Sequence, residues 1–347
     1  MKLQVLAWPK SSNKANNPYN HILYAAMEPL ADVHEFHGRK MSTANEHILH
    51  LHWPDLILRG RHIWKIRWRF FKLLRAMERI QKQGGKVIWT VHNLKPHTER
   101  HPIVTSKMIN QLLSQLDGLI FLSEASRSKF CEMYPDHCSI PFSVIPHHHY
   151  HGWYQNKLSE CDSDAYFEKT GTNLLSYGKI RSHKGIETLV RVFKQLDSKS
   201  THLHIAGNLG KHGISTDVKS TIDQDNNISA CFKHISDEET ADLFQSSDAI
   251  VLPYTTVLNS GTAILALTFH KPIIAPAIST FNDLKKVFGE QWLYLYEQPL
   301  TAEKLNEALN WLSHRDKNAS LDLSSLSPQV VAEQTVDFYR QVINHND

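Results

Sequence analysis

The chain has 347 residues, longer than the roughly 250–300 at which a single hydrophobic core stops growing, so two domains are expected. It is 41% hydrophobic and 21% charged, the balance of a globular protein, which excludes a disordered tail, a collagen-like fibre and a polytopic membrane protein. Lys plus Arg number 38 against 35 for Asp plus Glu, and a net charge of +3 does not fit a dedicated nucleic-acid binder.

The first segment, Leu3–Ala7, is an apolar stretch stopped by Pro9 and too short for a signal-peptide core, so it is expected to be a strand. Further short apolar runs bounded by turn residues predict buried strands at Ile48–His52, Lys86–Val91, Gly118–Leu122 and Phe142–Ile145. They continue at Leu174–Tyr177, Leu203–Ala206, Ala249–Leu252 and Pro272–Ala275. Helical spacing fills the intervals, as at Tyr19–Ala31, Trp64–Gln83, Ile186–Leu196 and Glu238–Gln245. Repeated strand–helix alternation predicts an α/β protein with parallel sheets. A polar, acidic stretch between Tyr150 and Thr172 interrupts it and predicts a linker. The expected organisation is two Rossmann-like domains, residues 1–165 and 166–325, facing across a cleft. A C-terminal helix, residues 326–347, is expected to pack back near the first domain. Ligands of such sheets bind beyond the carboxyl ends of the strands.

Four cysteines, Cys131, Cys138, Cys161 and Cys231, form neither a disulfide framework nor a CxxC metal pattern, and a reduced, cytoplasmic setting is expected. In His147-His148-His149-Tyr150-His151, neighbouring side chains of an extended segment point in opposite directions. Polar contacts at a loop edge, His149 among them, are expected there rather than a metal site. Asp162-Ser163-Asp164 and Asp223-Gln224-Asp225 lack a leading strand and are expected to be solvated turns.

Two stretches carry the chemistry. At Gly178-Lys179-Ile180-Arg181-Ser182-His183-Lys184-Gly185, a strand ends in a cationic loop that enters a helix, a setting for a diphosphate. It is not a GxxxxGK[ST] P-loop. At Asn259-Ser260-Gly261-Thr262, a capped helix start offers a second group of anion-receptive hydroxyls and N–H groups.

From Asn173 to Pro276, and more weakly over most of the chain, the sequence resembles the GT-B nucleotide-sugar glycosyltransferases that build bacterial lipopolysaccharide and exopolysaccharide. The resemblance implies a glycosyltransferase whose donor diphosphate is held by Lys179 and Lys184, with Arg181 in support and Ser260, Gly261 and Thr262 at the second helix start. It places Asn208 and Ile235 on loops around the nucleotide base, and gives His92, at the end of the strand leading into Asn93, a role at the donor sugar or reacting centre. Asn20, Trp53 and His149 fall on the acceptor side. The family's Glu–seven residues–Glu motif would fall near Val257 and Leu265, so its carboxylates are missing. Val5–Pro9, Asn17–Asn20 and His52–Pro54 further resemble mannosyltransferases of xanthan-like polymer assembly. That resemblance implies a GDP-mannose donor, with UDP-sugars as alternatives, and a lipid-linked or polysaccharide acceptor; no metal cofactor is expected. A sugar-nucleotide epimerase of the same architecture and a non-catalytic polysaccharide binder are the rival readings.

Cations and aromatics interleave from Arg59 to Arg79 without an acidic residue before Glu78. A helix there, with Trp64, Arg67, Trp68 and Phe71 outward, is expected to lie on an anionic membrane surface, placing the protein peripherally on the inner face of the cytoplasmic membrane.

Overall fold

The computed structural model describes residues 2–15, 17–36, 47–58, 60–94, 101–154, 157, 170–197, 200–210 and 213–344. The chain divides into two compact units, 1–148 with 324–347, and 149–323. The boundary expected at 165/166 lies outside the described residues.

The first unit runs β1 (Leu3–Trp8), α1 (Tyr19–Met27), β2 (Ala31–Glu35), β3 (Ile48–Leu51), a 3-10 turn (Pro54–Leu58), α2 (Ile63–Lys82) and β4 (Lys86–Thr90). It continues through α3 (Pro102–Leu113), β5 (Gly118–Phe121), α4 (Glu124–Met133) and β6 (Phe142–Val144). All six strands are parallel, in the order β2-β1-β3-β4-β5-β6. Every residue of β3, β4 and β5 is buried, as expected for strands covered on both faces.

The second unit contains α5 (His151–Tyr154), β7 (Thr172–Tyr177), α6 (Ile186–Phe193), β8 (Thr201–Ala206), α7 (Thr216–Gln224), β9 (Ile228–Cys231) and α8 (Asp237–Ser246). Then come β10 (Ala249–Val251), α9 (Gly261–Thr268), β11 (Ile273–Pro276), α10 (Ser279–Phe288), β12 (Leu293–Tyr296) and α11 (Ala302–His314). Its sheet is also parallel, ordered β12-β11-β10-β7-β8-β9. That is the dinucleotide-fold order, with the switch point between β7 and β10. In the first unit the switch falls between β1 and β3.

The final helix, α12 (Pro328–Asn344), belongs to the first unit, where Val331, Ala332, Val336 and Tyr339 join Leu23, Tyr24 and Met27 of α1 in one buried cluster. Three strands were not anticipated: β2, β9 and β12, each at a sheet edge. One expectation is corrected: Cys131 and Cys138 are paired as a disulfide. The end of α4 turns through Pro135–His137 and brings the two Cα atoms within 5.3 Å, a proximity that a seven-residue separation conceals. Among the described residues, no helix is long and apolar enough to cross a membrane.

Candidate functional site

In the second unit, three loops converge where β7, β8 and β10 end. Gly178 follows β7 with φ +115°, and a Cβ there would lie 3.5 Å from Thr262 Oγ1, so the cationic loop and the start of α9 are adjacent. Gly207, after β8, packs its Cα against the Gly178 carbonyl; any side chain would overlap that oxygen. A short parallel bridge between Ile180 and Leu209 ties the loops, with Ile180 N–H donating to the Asn208 carbonyl and Gly210 N–H to that of Ile180.

Lys179 is exposed and Arg181 half-buried. Burial lowers the pKa of His183, and Lys184 and Arg181 lower it further, so the loop carries a concentrated positive potential. Lys184 ends a single 3-10 turn (Ser182–Lys184), and its ammonium sits 3.5 Å from the ring centroid of Tyr254. This platform, just beyond β10, holds the cation by its attraction to the ring face. Gly185, in the left-handed region at φ +66°, lets the backbone pass against the Pro253 carbonyl before α6 begins.

Ser260 caps α9, its Oγ accepting from Ala263 N–H at 3.2 Å, while Gly261 and Thr262 are half-buried. The hydroxyl expected to face an anion thus already serves the helix as acceptor and retains only its proton to donate. Asn208 is exposed; Ile235 is buried before the Ser236–Glu239 capping box of α8.

In the first unit, the strand-end residues meet across β3 and β4. His50 and His52 lie two apart, as do Thr90 and His92, so all four project from one face of the sheet. His92 Nε2 is 3.0 Å from His52 Nδ1, and Trp53 stacks on the His92 ring with centroids 4.4 Å apart. Tyr19 of α1 meets the same ring edge-on at 5.1 Å. Behind His52, its Nε2 lies 2.6 Å from the Tyr24 hydroxyl, which is 2.9 Å from His50 Nδ1. His50 Nδ1 also meets the Tyr339 hydroxyl of α12 at 2.5 Å, and its Nε2 meets Thr90 Oγ1 at 2.7 Å. Burial holds His50 near 3 and His52 well below the ordinary histidine value; His92 is lowered by burial, then by His50 and His148. These rings are therefore neutral at physiological pH.

Asn20 is fully buried, its Nδ2 donating to the Pro9 carbonyl, so its side chain shapes the β1–α1 loop rather than reaching solvent. The histidine run divides between the units: His148 Nε2 donates to the Tyr19 carbonyl in the first, whereas His149 neighbours His151 in the second. Among the described residues, no three His, Cys, Asp or Glu side chains are grouped as a metal site. Tyr24, Tyr339 and the Tyr254 platform were missed by sequence reasoning. The only local signal was the alternation of His50, His52, Thr90 and His92 in otherwise apolar strands.

On α2, Ile66, Phe70, Leu73, Met77 and Ile80 face the core, while Trp64 (64% exposed), Trp68 and Phe71 face outward beside exposed Arg67. Lys72 lies 3.4 Å over the Trp68 ring. Arg59 lies outside the described residues.

Residues 162–323 match the family model of glycosyl transferases group 1. They are a glycosyl transferases group 1 domain. The chain is a glycosyltransferase, and its two parallel sheets are those of the GT-B fold. It is similar to a GDP-mannose:glycolipid 4-beta-D-mannosyltransferase of Xanthomonas campestris pv. campestris, 28% identical over 93% of this chain and 88% of that one. Among solved structures, a glycosyltransferase from Rickettsia africae ESF-5 superposes with a TM-score of 0.66, at 14% identity over 99% of both chains. Anabaena Alr3699/HepE in complex with UDP superposes at 0.63, with 11% identity over 100% of this chain and 99% of that one.

Proposed function

We propose that this glycosyltransferase moves a mannosyl residue from GDP-mannose to a hydroxyl of a glycolipid in bacterial surface or exported polysaccharide synthesis. The observation that carries the reading is the similarity to the GDP-mannose:glycolipid enzyme, which spans both units rather than the donor half alone. The second unit takes the donor. Lys179, Arg181 and Lys184, with the start of α9, neutralise the diphosphate as it gains charge on leaving. Asn208 and Ile235 flank the nucleotide base. These fixed cations take the part a divalent metal plays elsewhere, so transfer proceeds without one.

The first unit takes the acceptor beside Trp53 and His92, and His149, at the start of the second unit, is a further acceptor contact in this reading. GDP-mannose is an α-glycosyl phosphate, so a β-linked product requires inversion in one displacement, with a base for the acceptor proton. Neutral His92 supplies it. The outward face of α2, with Trp64, Arg67, Trp68 and Phe71, rests on an anionic membrane surface where the glycolipid resides, on the inner face of the cytoplasmic membrane.

The test is transfer of labelled sugar from GDP-mannose, GDP-glucose, UDP-glucose and UDP-N-acetylglucosamine to bacterial membrane glycolipids, with and without EDTA. Mannose transfer unaffected by EDTA, yielding a β-linkage by NMR, is the expected result; a preference for a UDP-sugar overturns the donor assignment. Flotation with vesicles containing phosphatidylglycerol tests the membrane face, and Trp64→Ala with Trp68→Ala is expected to abolish it.

A further inference from the structure

Behind His92 the fold places a closed set of neutral groups that transfer chemistry as described above does not use. Four elements build it: β3 and the residue after it supply His50 and His52, β4 supplies Thr90, α1 supplies Tyr24, and α12 supplies Tyr339. His50, His52, Tyr24 and Tyr339 are all essentially inaccessible to solvent. Burying so many polar groups is costly unless each is paired, and each is.

The pairing restricts where the protons lie. Each neutral imidazole donates from one nitrogen and accepts at the other. If Tyr339 donates to His50 Nδ1, His50 must carry its proton on Nε2 and donate to Thr90. Tyr24, donating to the Tyr339 oxygen, offers its own oxygen to His52 Nε2–H. That leaves His52 Nδ1 as acceptor for His92 Nε2–H, and His92 Nδ1 carries the lone pair. The opposite array, with every proton reversed, would put a proton on Nδ1 and disable the ring as a base. The distances at His50 Nδ1, 2.5 Å to Tyr339 and 2.9 Å to Tyr24, fit either array, and the need for a free lone pair on His92 Nδ1 selects the first.

We propose that His52, anchored by Tyr24, is a positioning residue that holds His92 as its Nε2–H tautomer, so that Nδ1 receives the proton of the acceptor hydroxyl. The inference rests on the reading of His92 as that base. In the transfer, the acceptor O–H bond breaks and its proton passes to His92 Nδ1. The acceptor oxygen bonds to the anomeric carbon, and the bond to the diphosphate breaks with its electron pair leaving on phosphate. The imidazolium so formed keeps its Nε2–H on His52 Nδ1, which spreads the new charge towards the Tyr24 hydroxyl.

A buried carboxylate commonly orients a catalytic histidine. Here, among the described residues, no carboxylate hydrogen-bonds to His50, His52 or His92. The groups around the His92 ring are Tyr19 of α1, Trp53 after β3, His52, and His148 beyond β6. A neutral backing fixes the tautomer without stabilising the imidazolium strongly, so His92 stays unprotonated between turnovers.

Two measurements on the full chain test this. Labelled-imidazole 15N NMR should show His92 as the Nε2–H tautomer in the wild type and as a mixture in His52→Leu. In mannose transfer from GDP-mannose to bacterial membrane glycolipids, His52→Leu should lower kcat by about 10- to 100-fold with donor KM within about twofold. His52→Asn, which keeps an amide oxygen towards His92 Nε2–H, should recover most of that loss, and Tyr24→Phe should fall between. A wild-type Nδ1–H tautomer, or unchanged kcat in a folded His52→Leu protein, overturns the proposal. His92→Asn separates the two readings. If that variant keeps wild-type kcat, His92 is not the base and the proposal falls with it. If it is inactive while His52→Leu is unimpaired, only the positioning role is lost.

Discussion

The indole of Trp53 lies nearly parallel to the imidazole of His92, 19° between planes. It closes the ring face that His52 and Tyr19 leave uncovered. Aromatic stacking of this kind is worth about 0.5–1.5 kcal/mol, up to roughly a tenfold rate difference if the ring must be held for reaction. Trp53→Ala should therefore lower kcat by up to about tenfold, and Trp53→Phe by less than about threefold. Steady-state kinetics at saturating donor would check this, and a change confined to acceptor KM would show that Trp53 binds the sugar instead.

In the cationic loop, Lys184 is held over the ring of Tyr254. Lys184→Ala should cut kcat by about 100-fold or more, the usual cost of removing one donor to a developing anion. Lys184→Arg keeps the charge over the ring and should retain far more activity. Circular dichroism should show the fold intact in both; near-normal transfer by Lys184→Ala would remove the diphosphate role.

Acid should weaken the first unit. Burial lowers His50 from 6.5 to about 3, so between those values the unfolded chain takes up a proton there that the folded chain refuses. The stability this site provides is complete above pH 6.5 and declines as pH falls towards 3, by about 1.4 kcal/mol per unit. At pH 5 the His50 share of the loss is about 2 kcal/mol, and His52, His92 and His147 are shifted in the same direction. Urea unfolding at pH 7.5 and 5.0 would measure it, and His50→Asn should show a shallower dependence.

Two glycines in the left-handed region provide an internal comparison. At Gly185 an added Cβ would overlap the Pro253 carbonyl oxygen, whereas at Gly84 it would meet nothing within 4 Å. Gly84→Ala should cost about 1–2 kcal/mol from backbone conformation alone. Gly185→Ala should cost more, because β10 and the donor loop must separate, and it should also weaken GDP binding. Denaturant titration and calorimetry would distinguish them.

The sequence revealed the interior strands because they are buried on both faces and so appear as continuous apolar runs. Edge strands β2 and β9 have one flank open, mix polar with apolar residues, and were missed; Leu293–Tyr296 at the other edge went unnoticed too. The cationic loop was legible because glycine, cations and a helix start are contiguous between Gly178 and Gly185. The histidine array was not. It joins Tyr24 to Tyr339 through His50, residues brought together by the last helix, and no local pattern encodes a partner 289 positions away. Asn20 was assigned to the acceptor side from its place at a helix opening, but burial turns it inward to the Pro9 carbonyl.

Because α12 completes the core of the first unit, that unit remains unfinished during synthesis until residues beyond 328 have left the ribosome. The usual N-to-C order of domain folding is thereby inverted: the second unit, contiguous in the chain, can assemble first, while six nascent parallel strands wait with an apolar face uncovered. Premature termination between residue 323 and the middle of α12 would therefore release a chain able to fold its second unit yet prone to aggregate through the first.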